Sequence, residues 1–187
     1  MNIEQAINEL RNGNIIILPS DTLYGVAANA YDKLAVEKVY ALKNRSEEKK
    51  LPVHYASLVQ IEKDIILTPT IIKLSEKFMP GALTIIANKR ADSKLCCVEK
   101  TVAFRIPNHK TVLEIITKLD APITMPSANK SGQIPELRFE DIDLGICGIA
   151  DDDAIGEIQS TIIDATSEQI KLVRDGAVPF CNVLAVV

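Results

Sequence analysis

The chain predicts an α/β fold: a mixed sheet, antiparallel at one end, with helices interleaved among its strands. Three observations carry that prediction. Runs with apolar residues at helical spacing alternate along the chain with short, β-branched runs. The first strand-like run, "NIIIL" (14–18), is apolar throughout, as in a strand covered by helices on both faces. Near the far end, "STIIDAT" and "IKLVRDG" are separated only by Ser167–Gln169, a spacer that suits a hairpin.

Taken in order, Ile3, Ala6, Ile7 and Leu10 fall on one helical face, which stops near Asn12–Gly13. After "NIIIL", Pro19 ends the strand, and Ser20, Asp21, Thr22, Tyr24 and Gly25 follow at once. Leu34, Ala35, Val36, Val39 and Tyr40 predict an amphipathic helix over 33–42. "LPVHYAS" (51–57) has a short strand pattern, and Pro69–Phe78 reads as a helix. "ALTIIAN" (82–88) and "TVAFRI" (101–106) are strands joined by a polar connection around Ala91–Lys100. Thr111–Leu119 reads as a helix, and "PITM" (122–125) as a brief strand before a turn-rich stretch. No repeat or low-complexity segment interrupts the series.

Composition narrows the class. At 187 residues the chain is long enough for a sizeable core and is expected to be one domain over 1–187. Aromatic residues are 4% and Trp is absent, so the core must be aliphatic. The net charge of −4 argues against a surface wrapped broadly in nucleic acid, yet leaves room for a basic cavity. Cys96, Cys97, Cys147 and Cys181 have neither metal-like nor disulfide-like spacing, which points to free thiols in a reducing cytoplasm. The opening segment carries Glu4 and Glu9 and lacks a signal-peptide core. "VLAVV" at the end is far too short to span a bilayer, so no membrane role is expected.

Four segments set polar groups directly after an apolar run, where ligands collect in open α/β sheets. They are "PSDTLYG" (19–25), "KNRSEEKKLPVH" (43–54), "FRIPNH" (104–109) and "PSANKSG" (126–132). Each has a plainer reading. The first suits a turn stabilised by side-chain oxygens, and the second a solvated mixed-charge surface. Ser127 or Asn129 could cap a helix, and His54 could be a satisfied core histidine. Arg105 resists such a reading, because a buried guanidinium needs an anionic partner.

The ordered set is more informative than any member. "PSDTLYG", "KNR…KKLPVH", "PGALTII", "VAFRIPNH", "PITMPSANKSG", "STIID" and "LVRDGAV" closely resemble the signature of the YrdC-like family, the threonylcarbamoyl-AMP synthases. The resemblance runs from about Ile15 to Val178. It implies a YrdC-like twisted mixed sheet flanked by helices, with a basic concave cavity, in the short single-domain form. It implies condensation of L-threonine, bicarbonate or CO2, and ATP to threonylcarbamoyl-AMP and pyrophosphate, with Mg2+. The product would pass to tRNA threonylcarbamoyl-transfer proteins that modify an adenosine beside the anticodon.

Residue by residue, the resemblance places Thr22, His54, Arg105 and Ser160 on threonine. It places Lys43, Arg45, Lys49, Ser127, Asn129 and Arg174 on ATP. No covalent nucleophile is expected, and no Walker G-x-x-x-x-G-K-[ST] appears. Four positions depart from the pattern: Ser20 for Thr, Lys49 where some members have Asn, Met125 for a small or hydroxyl residue, and Asp175 for Pro. Met125 is expected to narrow the threonine pocket, and Asp175 to weaken the hold of Arg174 on phosphate. Two other readings share the fold. One is an RNA-binding or ribosome-maturation module, disfavoured by the acidic balance but leaving weak RNA binding open. The other is the carbamoyl-transfer domain of hydrogenase-maturation proteins, which are long chains with zinc-finger-like cysteine spacing.

Overall fold

The protein is described by a computed structural model that covers residues 1–152, 156 and 158–187. Asn2 and Gln5 close a reciprocal capping box that starts helix α1 (Ile3–Arg11). Strand β1 (Ile16–Leu18) is buried along its length, as its unbroken aliphatic run requires. Strand β2 (Gly25–Asn29) returns antiparallel to it, pairing Leu18 with Gly25. This strand was not expected, since only Val26 in "GVAAN" is β-branched.

Helix α2 (Lys33–Lys43) is capped by Asp32 and ends on Asn44, whose left-handed backbone (φ 47°) turns the chain sharply before Arg45. Strand β3 (Val53–His54), helix α3 (Leu58–Glu62) and helix α4 (Pro69–Phe78) follow. Strands β4 (Leu83–Asn88) and β5 (Thr101–Arg105) pair antiparallel. Helix α5 (Lys110–Leu119), strand β6 (Ile123–Thr124), the antiparallel pair β7 (Thr161–Asp164) and β8 (Lys171–Arg174), and helix α6 (Phe180–Leu184) complete the order. Helices α3 and α6 are two short elements that five-residue patterns leave unread.

The eight strands form one mixed sheet in the order β1-β2-β6-β3-β5-β4-β7-β8. Two pairs are parallel, β3 with β5 and β4 with β7. Strand alternation sorts the side chains onto two faces. One face carries Ile17, Val26, Val53, Leu83, Ile85, Val102, Phe104 and Ile163 into the larger apolar core, where helices α2, α3 and α4 also bury residues. The opposite face carries Ile16, Leu18, Ala27 and Ile123, which pack under α1 and α5 in a second core. That helical cover ends beyond β6. Farther along the same face lie His54 of β3, Arg105 and Ala103 of β5, Thr84 of β4 and Ile162 of β7, and these line a cavity. The site therefore occupies a sheet face as well as strand ends. Among the described residues no helix is long and apolar enough to cross a membrane, and all four cysteines are free.

Candidate functional site

The cavity holds about 200 Å³ and draws its walls from seven separate stretches of chain. That volume lies below the roughly 300–1,000 Å³ typical of pockets that enclose a drug-sized ligand. It suits an amino acid, while anything as large as a nucleotide must extend past the rim.

Arg105 lies at the centre of the floor and is 3% exposed. The parallel register of β3 and β5 sets His54 directly beside it. Its Nε donates to His54 Nε2 at 3.0 Å. One terminal nitrogen donates to Asp21 Oδ1 at 3.0 Å and to the Gly81 carbonyl at 3.2 Å. The other donates to Ser20 Oγ at 3.2 Å and Thr22 Oγ1 at 2.8 Å. Burial lowers the pKa of Arg105, and the adjacent Asp21 carboxylate opposes that shift. Burial, reinforced by the Arg105 charge, holds His54 well below the usual histidine range. At neutral pH the site thus contains a buried guanidinium beside an uncharged imidazole. The anionic partner that burial of Arg105 demands is Asp21, from the "PSDTLYG" turn.

Two further guanidinium groups flank this centre. At one end, Arg45 donates to the carbonyls of Lys49 (2.7 Å) and Lys50 (3.1 Å), curling the segment after α2 against the cavity wall. Burial lowers its pKa, with Tyr40 opposing. Ser127 lines the wall beside it, positioned by a bridge between Ser127 and Gly25 that brings the "PSANKSG" turn against the start of β2. At the other end, Arg174 of β8 bonds the Ser160 carbonyl (2.8 Å) and Ser160 Oγ (3.1 Å), and Gln159 Oε1 at 2.6 Å. Ser160 Oγ lies 2.8 Å from Thr84 Oγ1, so an unbroken polar chain runs from Arg174 across β7 to β4. Burial lowers the Arg174 pKa and the Arg105 charge lowers it further.

Seven of the ten residues singled out from the sequence line this one cavity: Thr22, Arg45, His54, Arg105, Ser127, Ser160 and Arg174. Lys43, Lys49 and Asn129 do not. Lys43 is 2% exposed, and its ammonium is bonded to the carbonyls of Ser127 and Asn129, with Asn129 Oδ1 at 3.4 Å. Burial is the main cause that pushes its pKa down to about 8, with Arg45 adding to it. Lys43 therefore sits behind the wall as a tie on the turn that carries Ser127. Asn129 is the other half of that tie, and it also accepts from Ser127 Oγ at 2.5 Å. Lys49 contributes its carbonyl to Arg45 while its side chain lies on the exposed surface.

Two polar cavity residues, Thr84 and Gln159, were not singled out, while Lys50 belongs to the "KNRSEEKKLPVH" segment. Thr84 had a sequence signal, as the only hydroxyl in the apolar run "ALTII". Met125 does line the wall, as its departure from the family pattern suggested. Among the described residues Arg174 forms no ion pair with Asp175, and the hydroxyl and amide groups of Ser160 and Gln159 take its donors instead.

Comparison with known proteins places this geometry in context. The Sua5/YciO/YrdC family model, described as Telomere recombination, matches residues 8–176. The threonylcarbamoyl-AMP synthase of Bacillus subtilis is 34% identical over 194 residues, covering 99% of this chain and 56% of the relative. A putative threonylcarbamoyl-AMP synthase of Methanocaldococcus jannaschii is 34% identical over 176 residues, covering 91% of this chain and 84% of the relative. The crystal structure of Pyrococcus abyssi Sua5 complexed with L-threonine superposes with a TM-score of 0.85 at 30% identity. That match covers 99% of this chain and 57% of the other. The chain thus spans a little over half the length of the first and third of these proteins.

Proposed function

Because the chain belongs to the Sua5/YciO/YrdC family, we propose that it is an L-threonylcarbamoyladenylate synthase, a nucleotidyltransferase that joins L-threonine, bicarbonate or CO2, and ATP. The observation that carries the reading is the makeup of the cavity wall. It combines Arg45, Lys50, Arg105 and Arg174 with the hydroxyls of Thr22, Thr84, Ser127 and Ser160, and no carboxylate is among its described lining residues. A triphosphate brings about four negative charges, and converging cations in a partly dry cleft offset them although the whole chain is acidic.

In this reading Thr22, His54, Arg105 and Ser160 form the amino-acid end. Arg45, Ser127 and Arg174 face the nucleotide, with Lys43 and Asn129 holding Ser127 in place and Lys49 ordering Arg45 through its carbonyl. The threonine amine takes up CO2 with loss of a proton, or bicarbonate with loss of water, to give a carbamate. A carbamate oxygen attacks the α-phosphorus, the bond to the bridging oxygen breaks, and pyrophosphate leaves. No enzyme nucleophile takes part. The protein holds two anions in line and offsets the charge that develops on the transferring phosphoryl group. Among the described residues no group of three or more His, Cys, Asp or Glu could hold a metal ion. Mg2+ therefore fits as a partner of the triphosphate, entering with the substrate and adding charge neutralisation there.

Residues 1–187 act in this reading as one YrdC-like unit in the cytoplasm, and the adenylate passes to proteins that transfer its threonylcarbamoyl group to tRNA. Pyrophosphate release from ATP tests the proposal, with threonine and bicarbonate each omitted in turn. Release should require both. Release that continues equally well without either one refutes it.

A further inference from the structure

A second cavity, of about 250 Å³, shares no lining residue with the first. Strand β2 starts beside Ser127 at the first cavity, and Tyr31, in the wall of the second, lies just past its other end. The two cavities thus sit at opposite ends of this strand. They also differ in chemistry. The first has no carboxylate among its described lining residues, whereas the second sets Asp64, Asp92 and Asp120 against Lys63 and Lys94. We propose that the second cavity binds a small zwitterion of the α-amino-acid class, its ammonium meeting Asp64 and Asp120 and its carboxylate meeting Lys63, Lys94 and the amide of Gln60. The site stands independently of the functional reading above.

The case for the ammonium end begins with Asp64, which is 1% exposed and lines the cavity. Among the described residues its carboxylate is bonded only by neutral hydroxyls. Tyr31 and Tyr55 donate to Oδ2 at 2.7 and 3.2 Å, and Ser93 donates to Oδ1 at 2.7 Å. An ionised carboxylate offers about four acceptor positions, so one remains open, on Oδ1. A buried carboxylate without a cation is costly, and a ligand ammonium supplies both the missing donor and the missing charge. Asp120 adds a second carboxylate. It closes α5 in a left-handed conformation (φ 55°), and its side chain has no partner among the described residues. It lies close enough to Tyr31 that its charge, after burial and the Asp64 bond, helps to raise the pKa of that phenol. Asp92 is already spent, since its two oxygens accept from Arg90 at 3.0 and 3.1 Å. Among the described residues these aspartates do not form a group that could hold a metal ion.

The case for the carboxylate end rests on Gln60, which is 9% exposed and lines the same cavity. Its Oε1 accepts from the Ala56 N–H at 2.9 Å, so the two hydrogens of Nε2 are left without an acceptor among the described residues. A nearly buried amide donor in a cavity wall marks a place where a ligand supplies the acceptor. Lys63, the cap of α3, and Lys94, from the connection between β4 and β5, carry ammonium groups that have no partner among the described residues. Their flexible stems let both reach an anionic group. A site for a plain cation has no use for two lysines and an amide donor, and a site for a plain anion has none for Asp64 and Asp120. A ligand with both charges uses all of them. The new site is also tied to the first through β3. His54 lines the first cavity, and the next two residues are held by the second, Tyr55 through Asp64 and Ala56 through Gln60.

Carbon-13 NMR of the full chain with ring-labelled tyrosine tests the site, because the chain has only four tyrosines. Tyr31 reports on the second cavity and Tyr24 on the first. Tyr31→Phe and Tyr24→Phe variants assign the two signals. Glycine, the smallest zwitterion of the class, is the probe, and it should shift the Tyr31 signal saturably at millimolar concentrations. Methylammonium and acetate, which each carry one charged end, should bind at least about tenfold more weakly. Asp120→Asn removes the charge but tolerates the left-handed backbone, and it should weaken glycine binding at Tyr31 about tenfold or more. Lys63→Gln combined with Lys94→Gln should do the same from the other end. A Tyr31 signal that fails to saturate with glycine overturns the proposal. Binding of methylammonium or acetate as tight as that of glycine overturns it as well, and so does a glycine affinity that both sets of substitutions leave unchanged.

Discussion

Lys43→Met separates two roles for a buried lysine. The ammonium is bonded to the carbonyls of Ser127 and Asn129 and approaches Asn129 Oδ1. Methionine fills nearly the same volume, so the substitution removes donors without opening a cavity. Asn129 Oδ1 keeps a partner in Ser127 Oγ at 2.5 Å, which leaves two carbonyls to account for. Losing the donor to a buried acceptor costs about 1–3 kcal/mol, and the half-buried setting of this turn lets water restore part of it. A net loss of about 2–3 kcal/mol is expected, or about 4–12 °C in Tm for a chain of this size. ATP binding should weaken as well, because the turn that presents Ser127 loosens. A thermal melt at pH 7 beside a calorimetric ATP titration gives both numbers. If Lys43 were instead a phosphate ligand, Lys43→Met would weaken ATP binding while Tm stayed within about 1 °C of wild type. That result would refute the tie.

Three other outcomes follow from the same geometry. Arg174→Ala should weaken ATP binding about ten- to a hundredfold, the worth of a charge-assisted bond at roughly 1.5–3 kcal/mol, and an unchanged calorimetric titration would remove Arg174 from the nucleotide end. Gly25→Ala should lower Tm, since an added Cβ would meet Met125 Cγ at 2.4 Å and the Pro126 carbonyl at 3.1 Å; overpacking of this kind costs about 1–3 kcal/mol, and pairing it with Met125→Ala should recover part of the loss in the same melt. Burial raises the Cys97 thiol from 9.0 to about 12, so the folded chain keeps a proton that the unfolded chain gives up. Stability should fall as pH rises above 9, by about 1.4 kcal/mol per unit from this group. Lys43, lowered from 10.5 to about 8, acts with the opposite sign between those values. Melts across pH 8–11 should therefore show a shallower decline in Cys97→Ser than in wild type, and an identical slope would exclude Cys97 as the source.

Much of the fold was legible because its longer elements carry strong local patterns. The helix over Pro69–Phe78 follows a threonine cap and a proline at the first turn, and its ends agree with the sequence reading. The paired strands Thr161–Asp164 and Lys171–Arg174 lie antiparallel, as their close spacing suggested. Strand Gly25–Asn29 escaped notice for a physical reason. Its Ala27 and Ala28 are small because helices press on both faces there, so burial replaced the β-branched residues that normally mark a strand. The five-residue helices Leu58–Glu62 and Phe180–Leu184 are too short for periodicity to register.

The membership of the site was more legible than its wiring. Seven cavity residues could be picked from ordered motifs, because each motif follows an apolar run and the sheet gathers the ends of those runs. What each cation does with its donors depends on partners far away in the chain. Asp21 lies 84 residues before Arg105, and Ser127 lies 84 residues after Lys43. Lys43 and Arg45 stand two apart in one motif, so pattern alone assigns them the same phosphate. Helix α2 separates them: its last residue points Lys43 back under the "PSANKSG" turn, and the left-handed Asn44 swings Arg45 to the cavity side. Arg105 is the harder case. Its burial was foreseeable from "TVAFRI", and so was its need for an anion. Two anions could meet that need, a carboxylate of the protein or one of the substrate, and only the register that sets Arg105 beside His54 and under Ser20–Thr22 separates them. With Asp21 in place, the guanidinium can stay buried and charged, and the floor of the cavity is held in a fixed geometry. Preformed donors bind an anion without first reorganising, which is the condition under which electrostatic catalysis is most effective.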